Sequence, residues 1–392
     1  MNKQSIARAL QTVWLLPLVA LVGCSGNDDA TLADGQQRID FSVSTDTQES
    51  VTRGIPLNEL DGEFGLFCAS YSKDEDWGDG HALNFMYNEM VIGSGNAWTT
   101  SEGYFVPSNA YKLKFFAYYP YFDDVKDGTT PLVMYGDNTT AYAAPSFTYT
   151  MPTNAADQLD LMYAISGEMQ ADAQGKLGTV HMNFHHLLTT ITIAAKGSVA
   201  GTIKRVTLKN LYPSGEFEFV ERDAAHPEYG VLRAEKARAT NVYADLDLKV
   251  TTTAFKQADD GLSFMLILQP LDEETGQPSL NSEAEMEVTF EAPGGKIYTF
   301  TKSLSDLATA LTTSKNTLLK LTVESLRRIA VTATITPWGH GANFDGAVSD
   351  QPVLELEPLI SDWDSNEGNN DTNVTTGPNP TVTGYTAPPA QP

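Results

Sequence analysis

Short runs of alternating apolar and polar residues fill most of this 392-residue chain. A period of two places successive side chains on opposite faces of a strand, whereas a helix repeats its apolar residues every three or four positions. Gly, Pro, Asn and Asp separate the runs at short intervals, as turns between strands require. About fifteen runs of this kind are present, and they predict antiparallel sheets packed as sandwiches. Only Ser303 to Leu311 has the apolar spacing of a helix.

The number of runs exceeds what one sandwich usually holds, so we expect the chain to divide near residue 186. The predicted fold is all-β, with two antiparallel β-sandwich domains in tandem over residues 24–186 and 187–348. Residues 349–392 differ from both domains. Val353 to Ile360 alternates like a half-buried strand between prolines, whereas Asp364 to Pro392 is acidic, rich in Asn, Thr, Gly and Pro, and predicted to be disordered.

Charge and cysteine content exclude several classes of function. The chain has 25 Lys and Arg against 50 Asp and Glu, a net charge of −25, which disfavours nucleic acid and anionic membrane surfaces as partners. Two cysteines exclude a disulfide-dense scaffold and a Cys-rich metal site. The motifs of serine hydrolases, zinc proteases and nucleotide-binding loops are absent from the sequence. We therefore expect no enzyme, no catalytic residue and no cofactor.

Three local patterns invite a binding site, and each has a simpler interpretation. His181 and His185 would share one face of a strand, but no Cys or carboxylate lies within their segment to complete a metal site. The acidic run from Asp74 to Asp79 lacks the ligand spacing of a calcium loop. Trp77 and Trp98 could stack on sugars, although single aromatic residues near loops more often pack internally. We expect no metal site.

The N-terminus has the organisation of a lipoprotein signal peptide. Lys3 and Arg8 precede an apolar run from Ala9 to Ala20, which is shorter than the ~20 residues of a membrane-spanning helix. Leu21-Val22-Gly23-Cys24 resembles a bacterial lipobox. Residues 1–23 are therefore predicted to be removed and Cys24 to carry acyl chains that anchor the protein to a membrane. Cys68, in an apolar run, is expected to be a core residue.

Several segments together resemble the fimbrillin family of Bacteroidetes, the surface lipoproteins that build type V pili. Besides the lipobox, the acidic tract after Cys24 resembles the surface-export signal of Bacteroidetes lipoproteins. The remaining segments follow in the family's order: Val51-Thr52-Arg53, Phe115 to Pro120, Gln158 to Ala164, Phe184 to Leu188 and Thr334 to Trp338. The chain departs from the family pattern at its end, where a second Ile-x-x-Trp segment, Ile360 to Trp363, and a long tail follow.

This resemblance implies two transthyretin-like sandwiches without catalytic activity. It also implies export to the outer-membrane surface, proteolysis after an arginine, and assembly with other pilin subunits into a fimbria by strand exchange. Arg53 is the arginine that we favour, with Arg38 as the alternative. The subunit position and any host or bacterial ligand stay open. The alternative function is a surface lipoprotein that binds a host glycan or protein and never polymerises.

The physical case for strand exchange stands beside the resemblance. Cleavage after Arg53 would remove the strand that contains Ile39, Phe41 and Val43, and a sandwich without one strand exposes an apolar groove and unpaired backbone groups. A neighbour's strand could fill that groove. The candidate donor carries its apolar residues at Leu354, Leu356 and Ile360. The alternatives are that these residues form an edge strand of their own second sandwich, or that they are disordered.

Overall fold

The computed structural model of the chain describes residues 37–45, 60–95, 97–140, 145–220, 230–236, 238–252, 254–257, 263–268, 279–305, 307, 311, 315–337 and 354–358. Strands dominate these residues, accompanied by short 3₁₀ turns such as Trp77–Asp79 and Ala155–Asp157. The prediction of an all-β fold is confirmed. None of the helical turns in this part of the chain has the length and apolar character needed to cross a membrane.

Twenty-two strands are described. In chain order they are β1 Phe41–Thr45, β2 Asp61–Ser72, β3 Met86–Ser94, β4 Ala97–Thr100, β5 Tyr111–Tyr119, β6 Leu132–Tyr135, β7 Ser146–Thr150, β8 Met162–Ile165, β9 Met169–Gln170, β10 Val180–His186, β11 Thr189–Gly197, β12 Gly201–Leu211, β13 Ser214–Glu218, β14 Arg233–Ala234, β15 Thr240–Val250, β16 Lys256–Gln257, β17 Ser263–Leu266, β18 Glu285–Glu291, β19 Ile297–Ser303, β20 Lys315–Ser325, β21 Arg328–Pro337 and β22 Leu354–Pro358.

The first sheet closes on itself. Its strands follow the order β2-β3-β4-β1-β10-β8-β5-β9, and β5 pairs in addition with β2. The pairing of β5 with β2 completes a ring in which β1 lies between β4 and β10. Alternating residues on these strands are buried, as in β10, where Val180, Met182 and Phe184 are inside and His181 and Asn183 are exposed. The period of two seen in the sequence therefore separates the core from the outer face.

The second sheet contains two sets of strands joined by one. The order is β15-β12-β18-β19-β22-β21-β20-β11-β16, with β17 also paired to β11. Among the described strands, β22 alone joins the set β15, β12, β18 and β19 to the set β21, β20, β11 and β16. The hydrogen-bonded continuity of this sheet therefore depends on β22.

A smaller, four-stranded sheet links the two halves of the sequence. Its order is β14-β13-β7-β6, so strands from before and after residue 186 pair directly. The aromatic rings of Phe147 and Phe217 face each other across this pairing, with centroids 5.0 Å apart. Tyr163 lies 4.5 Å from the Phe217 ring, and Phe116 lies 5.5 Å from that of Phe219. Aromatic packing therefore continues from the first half of the chain into the second.

Two details of the fold differ from the simplest expectation. Antiparallel pairing predominates, but β1 pairs with β10 and β11 pairs with β20 in parallel. Alternation specifies which face of a strand is buried and leaves the direction of its neighbour open, so the sequence did not indicate these pairs. The predicted helix from Ser303 to Leu311 begins differently, since Ser303 ends β19. Leu304, Leu307 and Leu311 are buried, but most other residues of this segment lie outside the described ones.

Sheet membership changes between β10 and β11, close to the predicted division at residue 186. The four-stranded sheet takes strands from both sides of that division. The two-domain organisation over residues 24–186 and 187–348 therefore stays a prediction. Of residues 349–392, only β22 is described, so the proposed disordered tail also lies outside the described part of the chain.

Candidate functional site at the two closing strands

Two five-residue strands occupy comparable positions in the two large sheets. We call β1 and β22 the closing strands, because β1 completes the ring of the first sheet and β22 joins the two strand sets of the second. They correspond to the predicted displaced strand and the predicted donor strand. The sequence indicated both as strands but not that each would lie between two others.

Strand β1 is held mainly by β10. The two strands pair in parallel from Phe41 opposite Val180 to Thr45 opposite Phe184. On its other side, β1 pairs with β4 at a single position, Phe41 opposite Trp98. On the β4 side, a single register pair therefore holds β1 in place.

The inner face of β1 is apolar and largely buried. Ile39 and Phe41 are 7% and 3% exposed, and Val43 packs against the same cluster. The Phe41 ring meets that of Phe115 edge-on, with centroids 5.8 Å apart. Burying side chains of this size contributes roughly 1.5–3 kcal/mol each. Removal of β1 would thus leave an apolar groove in the first sheet, lined by side chains that include Phe115.

The outer face of β1 is polar and matches the outer face of β10. The Ser42 hydroxyl is hydrogen-bonded to Nδ1 of His181, its register partner on β10. Two positions along, the Ser44 hydroxyl donates to Oδ1 of Asn183 at 2.8 Å. The Nδ2 atom of Asn183 lies 3.2 Å from Nε2 of His185. The side chains of His181, Asn183 and His185 therefore form a polar row on β10 beside β1, which we call the rim.

The residues just before β1 are fixed to the same sheet. The Gln37 side chain donates to the carbonyl of Leu177 at 2.9 Å and accepts from its amide at 3.0 Å. The backbone amide of Ile39 donates to the carbonyl of Tyr104 at 3.0 Å, and Arg38 forms a bridge with Phe105. Cleavage after Arg38 would leave β1 in the chain. The favoured residue, Arg53, lies outside the described residues.

Strand β22 is antiparallel to both of its neighbours. Leu354, Glu355 and Leu356 pair with β21, and Glu357 and Pro358 pair with β19. As in the alternative of a strand that belongs to its own sandwich, β22 lies in the second sheet of its own chain, but it lies between two strands and not at an edge. Of the described side chains, the Thr301 hydroxyl, on the β19 residue opposite Glu357, is the buried polar group without a hydrogen-bond partner. Ile360 and Cys24 lie outside the described residues.

The histidine and acidic patterns of the sequence form ordinary structural contacts. Nδ1 of the buried His186 lies 2.8 Å from Oδ2 of Asp160, whereas His181 is exposed. In the acidic loop, Glu75 accepts from the amide of Ser72 at 3.1 Å. The described residues contain no group of three or more His, Cys, Asp or Glu that could hold a metal ion.

The remaining candidates also lie in packed surroundings. Cys68 is fully buried, and burial raises the pKa of its thiol well above the ordinary value, so the reactive thiolate is disfavoured. Trp98 is 6% exposed and packs on Phe64, with ring centroids 5.4 Å apart. The Trp77 ring packs on Phe116 at 5.1 Å. These contacts favour the packing interpretation of both tryptophans over sugar stacking.

A family model described as fimbrillin-like matches residues 58–338 of the chain. The fimbrium subunit Fim1C of Phocaeicola vulgatus is 29% identical over 186 residues, which are 45% of this chain and 48% of that protein, so this match spans about half of the relative's length. A putative fimbrium subunit Fim1C of Bacteroides uniformis is 24% identical over 355 residues, covering 88% and 99% of the two chains.

Solved structures with a similar course of the chain include a fimbrial protein from Bacteroides vulgatus. It is 20% identical, covers 70% of this chain and 92% of its own, and has a TM-score of 0.46. A cell adhesion protein described as putative, from Bacteroides uniformis, is 17% identical, covers 78% and 99% of the two chains, and also has a TM-score of 0.46.

Proposed function

The chain belongs to the fimbrillin-like family, and we propose that it is a structural or adhesive subunit of a cell-surface fimbria, joined to its neighbours by strand exchange. Relatives named as fimbrium subunits support the first part of this proposal. Membership of this family also agrees with the expectation that the chain is not an enzyme. The partners are other pilin subunits, either copies of this chain or different ones.

The position of β1 is the observation that carries the strand-exchange proposal. It closes the ring of the first sheet, buries Ile39 and Phe41, and pairs with β4 at one position only. Its removal would leave two strand edges facing each other across the width of one missing strand. Neighbouring strands lie about 4.8 Å apart, so this gap of about 9.6 Å between β4 and β10 fits one inserted strand.

The geometry favours Arg53 over Arg38 as the site of maturation. Cleavage after Arg53 releases everything up to and including β1, whereas cleavage after Arg38 leaves Phe41–Thr45 attached to the rest of the chain. Only cleavage after Arg53 separates β1 from the rest of the chain, so only this cleavage can open the groove. Arg38 is, in addition, part of a backbone bridge with Phe105.

Strand β22 of another subunit is the proposed occupant of the groove. Its sequence Leu-Glu-Leu-Glu-Pro repeats the alternation of Phe-Ser-Val-Ser-Thr in β1 at the same length. Pro358 cannot donate a ladder hydrogen bond, which suits the end of an inserted strand. The pairing of β22 within its own chain supports the alternative in which β22 stays in the second sheet of its own subunit. Under the exchange proposal, this pairing is the state before assembly.

Export and anchoring complete the proposal. The signal peptide of residues 1–23 would be removed, and acyl chains on Cys24 would hold the precursor on the outer-membrane surface until cleavage after Arg53 frees it for assembly into the fimbria. The test is Cys24→Ala, which should abolish acylation and move the precursor out of the detergent-rich phase. Unchanged partitioning of this variant would contradict lipid attachment.

The central experiment compares two arginine variants. Arg53→Ala should prevent polymerisation in cells or with an arginine-specific protease, whereas Arg38→Ala should polymerise like the natural protein. Polymer is measured as ladders in gels run without boiling, and the mature N-terminus is sequenced. An N-terminus at Gly54 supports the proposal. A mature protein that retains Phe41–Thr45 and binds glycan saturably instead supports the non-polymerising surface lipoprotein.

A further inference from the structure

We propose that the outer face of β10 selects its incoming strand by hydrogen bonds to carboxylates. Side chains of His181 and Asn183 would bind Glu355 and Glu357 of β22 from a second copy of this chain. This inference rests on the proposed strand exchange and adds to it a determinant of which strand is accepted.

The present contacts of β1 define where an inserted side chain would meet β10. Ser42 is the register partner of His181 and Ser44 that of Asn183, and both serines contact those partners through their side chains. His181 and Asn183 are exposed on the outer face of the sheet, where a longer side chain has room to extend. A residue that replaces Ser42 or Ser44 therefore faces an imidazole or an amide.

In an inserted β22, alternation would place the glutamates on the outer face of β10. An inserted strand must direct Leu354 and Leu356 inward, since the groove is the apolar space left by Ile39, Phe41 and Val43. Successive side chains point to opposite faces, so Glu355 and Glu357 then point outward. A shift of the register by two residues keeps this arrangement, because alternation repeats with the same period.

The strands that flank the groove carry no acidic residue. β4 reads Ala-Trp-Thr-Thr and β10 reads Val-His-Met-Asn-Phe-His-His, in a chain that contains 50 Asp and Glu. The exposed Asp40, two residues before Ser42, leaves with β1. The other titratable group along this face of β10 is His185, which lies beside Asn183. Once β1 is gone, β10 presents hydrogen-bond donors, and neither β4 nor β10 itself carries a carboxylate that competes for them.

The chemistry of the two sides is complementary. A carboxylate only accepts hydrogen bonds, whereas an imidazole ring and a side-chain amide can each donate. Bonds to a charged acceptor are stronger than neutral ones. Serine in β1 satisfies the same rim with a hydroxyl, which allows β1 to cover the rim until cleavage. Glutamate at these positions would give β22 hydrogen bonds from the rim to a charged acceptor, which the serines of β1 cannot form.

The test uses the full-length precursor with an arginine-specific protease and follows the rate of polymer formation. Glu355→Gln with Glu357→Gln should slow assembly about two- to tenfold, the range expected for two exposed charge-assisted contacts. His181→Glu should slow it further, because two carboxylates then face each other. Combining His181→Glu with Glu355→Lys and Glu357→Lys should restore the rate. Glu216→Gln, an exposed acid on β13, is the matched control and should have no effect.

Controls separate this inference from the strand exchange on which it depends. Melting temperatures of the uncleaved variants should match that of the natural precursor, which shows that the substitutions leave the home fold intact. If Leu354→Asp with Leu356→Asp still polymerises, β22 is not the donor and both proposals are overturned. If that variant stops assembly while all charge variants assemble at the natural rate, strand exchange stands and recognition by β10 is overturned.

Discussion

Strands β1 and β22 close their sheets in different ways. β1 runs parallel to β10 and touches β4 at one pair, whereas β22 runs antiparallel to two neighbours and divides its pairs between them. Around β1, the outer-face polar groups are paired, as with Ser44 and Asn183. Next to β22, the buried Thr301 hydroxyl is unpaired. A buried polar group without a partner costs about 1–3 kcal/mol, so the described surroundings of β22 carry an energetic cost at Thr301.

Under the proposed strand exchange, this difference assigns the acceptor role to the β1 position and the donor role to β22. The β1 position combines an apolar inner face with a polar rim that another strand can reuse, so it suits an acceptor. The β22 position joins two strand sets, and each set has pairings of its own that do not involve β22. Strand exchange requires a groove that is stabilised when a strand fills it. It also requires a donor strand whose own sheet stays folded after the strand has left.

The strongest test of this comparison isolates the two roles. A chain truncated after residue 353 lacks β22 and should accept a strand without donating one, whereas Arg53→Ala should donate β22 without accepting. Each alone should form no polymer after protease treatment. A mixture of the two, with the protease present, should yield heterodimers and nothing longer, as measured by native mass spectrometry.

The same truncation also tests where β22 belongs. If the truncated chain loses its β signal in circular dichroism, β22 is an integral strand of its own second sheet, and the division of roles between β1 and β22 is wrong. Retention of the natural signal, with no heterodimer in the mixture, would leave β22 dispensable for the fold and exclude it as the donor.

A smaller effect is expected from Phe41→Ala. This substitution removes a buried ring that packs on Phe115, and large-to-small changes of this kind cost about 3–5 kcal/mol. The uncleaved precursor should therefore unfold at lower denaturant concentration. Once β1 has been removed, the variant and the natural protein have the same sequence, so polymer stability should be equal. A difference between the two polymers would show that β1 stays in the mature subunit.

The smallest expected effect comes from Ser44→Ala. It deletes one exposed hydrogen bond to Asn183, so the stability of the precursor should fall by about 0.5–1.5 kcal/mol at most. Equilibrium unfolding in urea would measure the change, with Ser101→Ala, an exposed serine in a bend, as the control. A loss comparable to that of Phe41→Ala would mean that the outer face, and not the apolar inner face, holds β1 in place.

Much of the fold was predictable because alternation is a local property. Ile39, Phe41 and Val43 were expected on one buried face, and Ile39 and Phe41 are buried as predicted. The parallel pairing of β1 with β10 was not predictable, because it joins residues about 140 positions apart and leaves no mark in the alternation of either strand. The Gln37 contacts with Leu177 were missed for the same reason.

The sequence by itself determined the all-β class, the inward residues of each strand and the resemblance to fimbrillins, since these depend on residue types and their spacing. Tertiary structure decided which strands are neighbours. It placed β1 in a closing position and β22 between β19 and β21, and it brought Ser42 and Ser44 onto His181 and Asn183. The physical reason is that backbone hydrogen bonds between strands are nearly independent of side-chain identity. Partner choice is therefore set by the packing of the whole chain and not by any one segment.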